Sequence, residues 1–287
     1  MRFVTYHSKV GSRVAAIRDG AYVDLQAADP TLPWSLKELL AGGEESLHRA
    51  RGAAEIGELI DPATVRLLAP IPDPQKVICI GLNYADHARE SGMEPPPEPV
   101  IFNKFPTTIC GHEDAIVLPS ASTQVDYEAE LVVVIGHRGH HIAEEDALSH
   151  VAGYSVGNDV SARDWQLQKP GKQWLLGKTF DGFAPFGPAL VTPDEVGDAG
   201  KLRIQFRLNG QTLQDSTTEQ LIFNVPQLVA YVSRICTLLP GDVIFTGTPP
   251  GVGFARKPPI FLRPGDVAEV EIERVGLLRN PVIAATR

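Results

Sequence analysis

The run Leu131-Val132-Val133-Val134-Ile135 constrains this chain more than any other segment. A continuous stretch of β-branched and aliphatic residues forms a strand that must be buried on both faces. Glu128 and Glu130 stand directly upstream, so a strand entering a core begins with carboxylates. Glu128 and Glu130 alternate, which projects both side chains from one face, roughly 7 Å apart along the strand. Like charges so placed repel unless a cation lies between them, and hard divalent cations such as Mg²⁺ and Mn²⁺ prefer oxygen ligands. Taken alone, the pattern also fits an exposed edge strand with solvated glutamates.

The rest of the chain is strand-rich. It has 26 Gly and 24 Pro in 287 residues, which suits many short strands joined by tight turns. Strands are expected at Lys76–Gly81, Ala115–Leu118, Tyr127–Ile135, Gly153–Asp159, Leu202–Leu208, Gln211–Asp215, Asp242–Thr246 and Val267–Ile272, with a hairpin at Asn209-Gly210. Helices are expected at Ala143–His150 and, behind an Asn224 cap, at Val225–Leu238. Upstream, Ser12–Ile17 and Ala21–Leu25 flank an Asp19-Gly20 turn, and Leu36–Leu40 and Ser46–Ile60 have helical spacing. The proline-rich run from Ala69 to Pro74 reads as a linker. The expected organisation is a small N-terminal α+β domain over residues 1–70 and a catalytic domain over 75–287. Few helices separate the strands of the second part, so its core is expected to be an α+β, β-rich roll or barrel-like structure rather than a doubly wound sheet.

Several function classes are excluded on composition. A net charge of -9 argues against nucleic-acid or anionic-membrane binding, and no apolar run approaches membrane-spanning length. The first residues lack the apolar core of a signal peptide, and the scattered cysteines (Cys79, Cys110, Cys236) suit a reducing, cytoplasmic setting. His137-Arg138-Gly139-His140-His141 follows a strand end without a supporting carboxylate and reads as a solvated turn.

Two further segments can carry chemistry. In Gly157-Asn158-Asp159-Val160-Ser161-Ala162-Arg163-Asp164-Trp165-Gln166, Asp159 ends an apolar strand, and Arg163 and Gln166 follow at helical spacing. The segment could hold a third metal carboxylate and an anion-binding cation, or simply a capped turn in which Arg163 pairs with Asp164. In Gly81-Leu82-Asn83-Tyr84-Ala85-Asp86-His87-Ala88-Arg89-Glu90-Ser91-Gly92, His87 and Glu90 are three apart, neighbours on a helix face. A carboxylate beside an imidazole fixes its tautomer and raises its basicity, as a general base requires. The flanking glycines would let this segment act as a mobile lid. Lys178 lies in an apolar, Gly-flanked stretch and Thr248 in a Gly/Pro-rich loop.

Together, the segments around Asn83–His87, Asp126–Leu131, Gly157–Asp164, Gly177–Asp181 and Pro240–Pro249 resemble the fumarylacetoacetate hydrolase family, in that order, over roughly residues 75–285. The resemblance implies a mixed β-roll core, a divalent cation (Mg²⁺, with Mn²⁺ as alternative), a small anionic keto-acid substrate and a homodimer. It assigns the metal to Glu128, Glu130 and Asp159, catalysis to His87, Glu90 and Lys178, and substrate contacts to Arg163, Gln166, Thr248 and Tyr84. The family's namesake carries one more ligand Asp seven residues before its catalytic His, where this chain has Ile80. With that departure the chain resembles the acylpyruvase-like branch. The expected reaction is C–C hydrolysis of 2,4-diketo acids to pyruvate and a carboxylic acid, with His87 activating water. The run from Gly171 to Lys178 and Arg256-Lys257-Pro258-Pro259 also resemble the oxaloacetate tautomerase branch. The alternatives are therefore oxaloacetate tautomerisation or decarboxylation, and isomerisation of the 2-hydroxyhepta-2,4-diene-1,7-dioate type.

Overall fold

A computed structural model describes residues 1–90 and 92–285, with the backbone alone of Lys172. Ser91, inside the expected lid, and Thr286 and Arg287 lie outside the described residues.

The apolar run forms the strand Ala129–Ile135, every residue of which is buried. It lies between Val151–Asn158 and Val243–Phe245, antiparallel to both. The sheet continues on one side through Ala184–Val191, Arg2–Ser8, Gly11–Arg18 and Ala21–Asp24, and on the other through Val77–Gly81 to Val100–Lys104. A five-stranded sheet (Gln211–Thr217, Arg203–Leu208, Val267–Ile272, Gly276–Ala284, Ile116–Leu118) covers one face. Leu131, Val133 and Ile135 share a core with its Phe206, Val270 and Leu278. Val132 and Val134 belong to the opposite core, with Phe186, Phe245, Leu36 and Leu39. Each such side chain contributes roughly 1.5–3 kcal/mol on burial, which helps offset the cost of drawing Glu130 inside. The architecture is mixed α+β and sheet-rich, and its sheets stay open rather than closing into a barrel.

Residues on either side of the 69–74 segment share one sheet and one core. Arg2 and Phe3 pair with Val191 and Leu190, and Phe3, Val14 and Leu25 pack in the same cluster as Val77 and Phe245.

Four strands of five or more residues escape the sequence patterns, Arg2–Ser8, Val100–Lys104, Ala184–Val191 and Gly276–Ala284, as do five strands of two or three residues. Ala184–Val191 contains Pro185, Gly187 and Pro188, which read as breakers; Gly187, at φ 144, supplies the backbone freedom that the strand uses there. The helix expected at Ser46–Ile60 runs instead from Gly43 to Ile56, because Leu59 and Ile60 are taken up in pairing with Val23 and Tyr22. Glu144–His150 is a 3₁₀ helix. Ala143 offers no capping side chain and the next strand starts at Val151, so no longer helix is nucleated. Val225–Ile235 is helical, opened by a reciprocal Asn224–Gln227 capping box. Three short helices, Ala85–Glu90, Arg163–Gln168 and Leu175–Lys178, carry much of the candidate site.

Candidate active site

Strand register brings the carboxylates together. Glu130 pairs with Gly157 and Ala129 with Asn158, and the Asp159 N–H donates to the Glu128 carbonyl at 2.9 Å. Glu128, Glu130 and Asp159 each present an oxygen within 4.8 Å of the others, and all three are buried. Among the described residues no other His, Cys, Asp or Glu group meets that geometry, the His137–His141 turn included.

Cations surround the cluster. Lys178 Nζ donates to Glu128 at 2.8 Å and to Asp159 at 3.0 Å. Arg163 reaches Asp126 at 2.8 Å and Glu128 at 2.7 Å, and donates to Gln166 Oε1 at 2.8 Å. The sequence alternative of an Arg163–Asp164 pair is not formed: Asp164 instead accepts from Ser122 at 2.6 Å. Two participants were not singled out from the sequence. Lys104, 1% exposed at the end of its strand, donates to Asp159 and to the Val160 carbonyl. Asp126, fully buried, also accepts the N–H groups of Tyr127, Gly253 and Phe254 and so ties the 249–256 loop to Arg163. A Lys closing the apolar strand Val100–Lys104 was the available signal for the first.

The charges set the protonation of the cluster. Burial alone would raise the Glu128 carboxyl, but Lys178 and Arg163 overcome it and hold its pKa at about 2. Glu130 goes the other way. Burial, then Asp159 and Glu128, push it well above the usual carboxylate range, against the pull of the Gly247 N–H that donates to it at 2.7 Å.

Beside the fully buried Asp159, Glu128 and Glu130 line a cavity of about 520 Å³. His87 and Glu90 line its wall, with His87 Nδ1 and Glu90 Oε2 3.2 Å apart. The Gly251 N–H donates to both Glu90 oxygens at 3.1 Å, fixing the helix Ala85–Glu90 against the 249–256 loop. Thr248 lines the cavity and accepts from Gln214 Nε2 at 2.9 Å. Ile80 also lines it, so the position of the extra family ligand is apolar here. Tyr84 is not part of the lining. It is fully buried in the core, its hydroxyl has no hydrogen-bond partner among the described residues, and burial followed by the charges of Glu130 and Asp86 pushes its pKa up.

The residues fit a hard divalent cation. All donors are carboxylate oxygens, and a carboxyl held protonated by burial and like charge is one that a cation would deprotonate and bind. Linkage gives the sign of a testable effect. A carboxyl with a raised folded pKa stabilises the fold below its unfolded pKa, and that stability is lost as pH rises through the folded value. Metal-free protein should therefore weaken with rising pH through Glu130, and Mg²⁺ should restore it. The gain in Tm on adding Mg²⁺ to EDTA-treated protein is expected to grow from about pH 5 to about pH 8. A gain that shrinks over that range would contradict the site.

Comparison with known proteins identifies the family. Residues 76–283 match the family described as fumarylacetoacetate (FAA) hydrolase C-terminal. The mitochondrial oxaloacetate tautomerase fahd2 of Xenopus laevis is 52% identical over 265 residues, covering 92% of this chain and 83% of that protein. A fumarylacetoacetate hydrolase from the psychrophile Exiguobacterium antarcticum superposes with a TM-score of 0.87 at 39% identity, covering 99% of this chain and 100% of its own. A maleylpyruvate hydrolase from Sphingobium sp. SYK-6, solved with manganese(II) and pyruvate, gives 0.83 at 28% identity, with both chains fully covered. The expected cytoplasmic location is corrected by these relatives, since the Xenopus protein is named as mitochondrial. Scattered cysteines report a reducing environment, which more than one compartment offers. By the match over most of its length, the chain belongs to the fumarylacetoacetate hydrolase C-terminal family.

Proposed function

We propose that this enzyme interconverts the keto and enol forms of oxaloacetate with the help of a divalent cation. One observation carries the reading: Glu128 and Glu130, whose oxygens lie within 4.8 Å of an Asp159 oxygen, line the same cavity as the His87–Glu90 pair. The 52% identity to a relative named oxaloacetate tautomerase favours this over C–C hydrolysis, the first expectation from the sequence. The buried charges point to an anionic substrate. Asp126, Glu128, Glu130 and Asp159 outnumber Lys104, Arg163 and Lys178 by one; a divalent cation leaves a single positive charge to attract a carboxylate.

Glu128, Glu130 and Asp159 would hold Mg²⁺ or Mn²⁺, which when bound lowers the cost of negative charge developing on a 2-oxo acid. The protein supplies the rest. Arg163, fixed by Asp126 and Glu128, neutralises a substrate carboxylate, and Gln166, whose Oε1 is engaged by Arg163, offers its amide N–H groups. Lys178 presents an ammonium beside the developing oxyanion. With His87 Nδ1 turned to Glu90, Nε2 carries the proton to and from C3. His87→Ala should cut turnover at least about 100-fold, and a loss below about threefold would remove His87 from the mechanism.

Product NMR tests the reading, using Mg²⁺-loaded and EDTA-treated protein given oxaloacetate, fumarylpyruvate and short acylpyruvates. The expected result is an EDTA-sensitive keto–enol change in oxaloacetate with no new carbon skeleton. Pyruvate plus a second acid from the acylpyruvates would instead establish hydrolysis, with His87 activating water. Pyruvate and CO₂ from oxaloacetate would establish decarboxylation.

A further inference from the structure

The cavity has two unlike ends. Its charged end holds Glu128, Glu130, Arg163, Gln166 and Lys178. An aromatic wall begins directly beside it. The Phe102 ring lies 5.0 Å from Lys178 Nζ, and Trp174 meets Phe102 edge-on, with centroids 5.5 Å apart at 74°. Trp174 is seated on Gly81, where a Cβ would fall 2.5 Å from the indole, so only glycine leaves room for the ring. Leu82, Met93 and Phe254 add further apolar lining to the cavity.

Among the described residues, no lysine or arginine on that wall answers a second anionic group. Among the described lining residues, Arg163 and Lys178 are the only lysine or arginine cations, and both sit at the charged end. Arg256, the next guanidinium along the 249–256 loop, is spent on the Gly251 and Leu213 carbonyls. The size also exceeds need. A cavity of about 520 Å³ is of the class that takes drug-sized ligands, and a four-carbon acid held at the charged end leaves the aromatic end unfilled.

We infer that the site also accepts 2-oxo acids bearing an apolar, ring-sized substituent at C3, the arylpyruvate class, and interconverts their keto and enol forms. The inference rests on the tautomerase reading and adds to it the chemistry of the distal end. The carboxylate and keto group lie at the charged end, and the ring packs on Phe102 and Trp174, where edge and face contacts between rings are favourable. The C3–H bond breaks, its proton passes to His87 Nε2, and its electron pair forms the C2=C3 bond. The C=O pair moves onto the keto oxygen, which takes a proton from solvent and becomes the enol hydroxyl, while His87 returns its proton to solvent. No group leaves and nothing is oxidised.

The test follows phenylpyruvate and oxaloacetate side by side, each enol-to-keto rate measured against buffer and EDTA-treated protein. The expected result is EDTA-sensitive acceleration of both, with kcat/KM values within about tenfold of each other, because apolar contacts discriminate weakly. Trp174→Ala should lower kcat/KM for phenylpyruvate about tenfold more than for oxaloacetate, chiefly through KM, and Trp174→Phe should recover most of the difference. Oxaloacetate turned over while phenylpyruvate stays at the buffer rate would overturn the inference and leave the tautomerase reading standing. Equal losses for both acids in Trp174→Ala would also overturn it. Failure of both acids in the wild type would remove the tautomerase reading and this inference with it.

Discussion

Glu130→Ala is expected to abolish divalent-cation binding and lower turnover by about 1,000-fold, the equivalent of about 4 kcal/mol of lost Lewis-acid stabilisation. The argument starts from burial. Glu130 is 1% exposed and lies in a cluster whose other carboxylates raise its pKa, so without a cation it is a cost to the fold. Removing it should leave the metal-free protein as stable as the wild type, or more so. The two readouts therefore move apart: Mn²⁺ affinity by calorimetry and activity collapse together, while the Tm in EDTA holds or rises. A merely structural glutamate would give the reverse pattern, a lower Tm with unchanged affinity. Retention of Mn²⁺ binding with more than about a tenth of the activity would sink the metal assignment.

Arg163→Met should destabilise the protein by about 3 kcal/mol, the lower end of what breaking a buried ion pair costs. The guanidinium bridges Asp126 and Glu128, and only a planar, multidentate cation can serve both. Without it Asp126 keeps three backbone N–H donors, but Glu128 is left to Lys178 alone. The unpaired charge, more than lost packing, sets the magnitude. Its pH dependence follows. A carboxyl whose pKa is depressed contributes stability that is present above the unfolded value and lost as pH falls through the folded one. The gap between wild type and variant should thus narrow as pH falls from 4.5 toward about 2, where Glu128 takes up its proton in the wild type too. Urea unfolding midpoints at neutral and acid pH measure both. A loss below about 1 kcal/mol at neutral pH would mean that water or Lys178 replaces the guanidinium. Arg163→Lys, which keeps the charge but not the fork, is expected to fall between the two.

Local patterns were enough for part of this protein. The Leu131–Ile135 run requires a doubly covered strand whatever surrounds it, because no half-exposed strand tolerates apolar side chains on both faces. The Asn224 cap and the three-residue spacing of His87 and Glu90 are likewise local, since helix geometry alone brings such residues together. The family, too, was legible in short ordered segments. Other features depended on the third dimension. Lys104 and Asp126 join the ion network only because strand pairing carries them to partners 55 and 37 positions away. Tyr84, within a motif, went to the core instead of the cavity. Ala184–Val191 is a strand despite two prolines because its neighbours supply the ladder. The aromatic wall exists only where Trp174 settles on Gly81, far off along the chain. Period and spacing fix which face a residue takes on its own element; which distant side chain it meets there is decided by register and packing between elements, and no single segment encodes that.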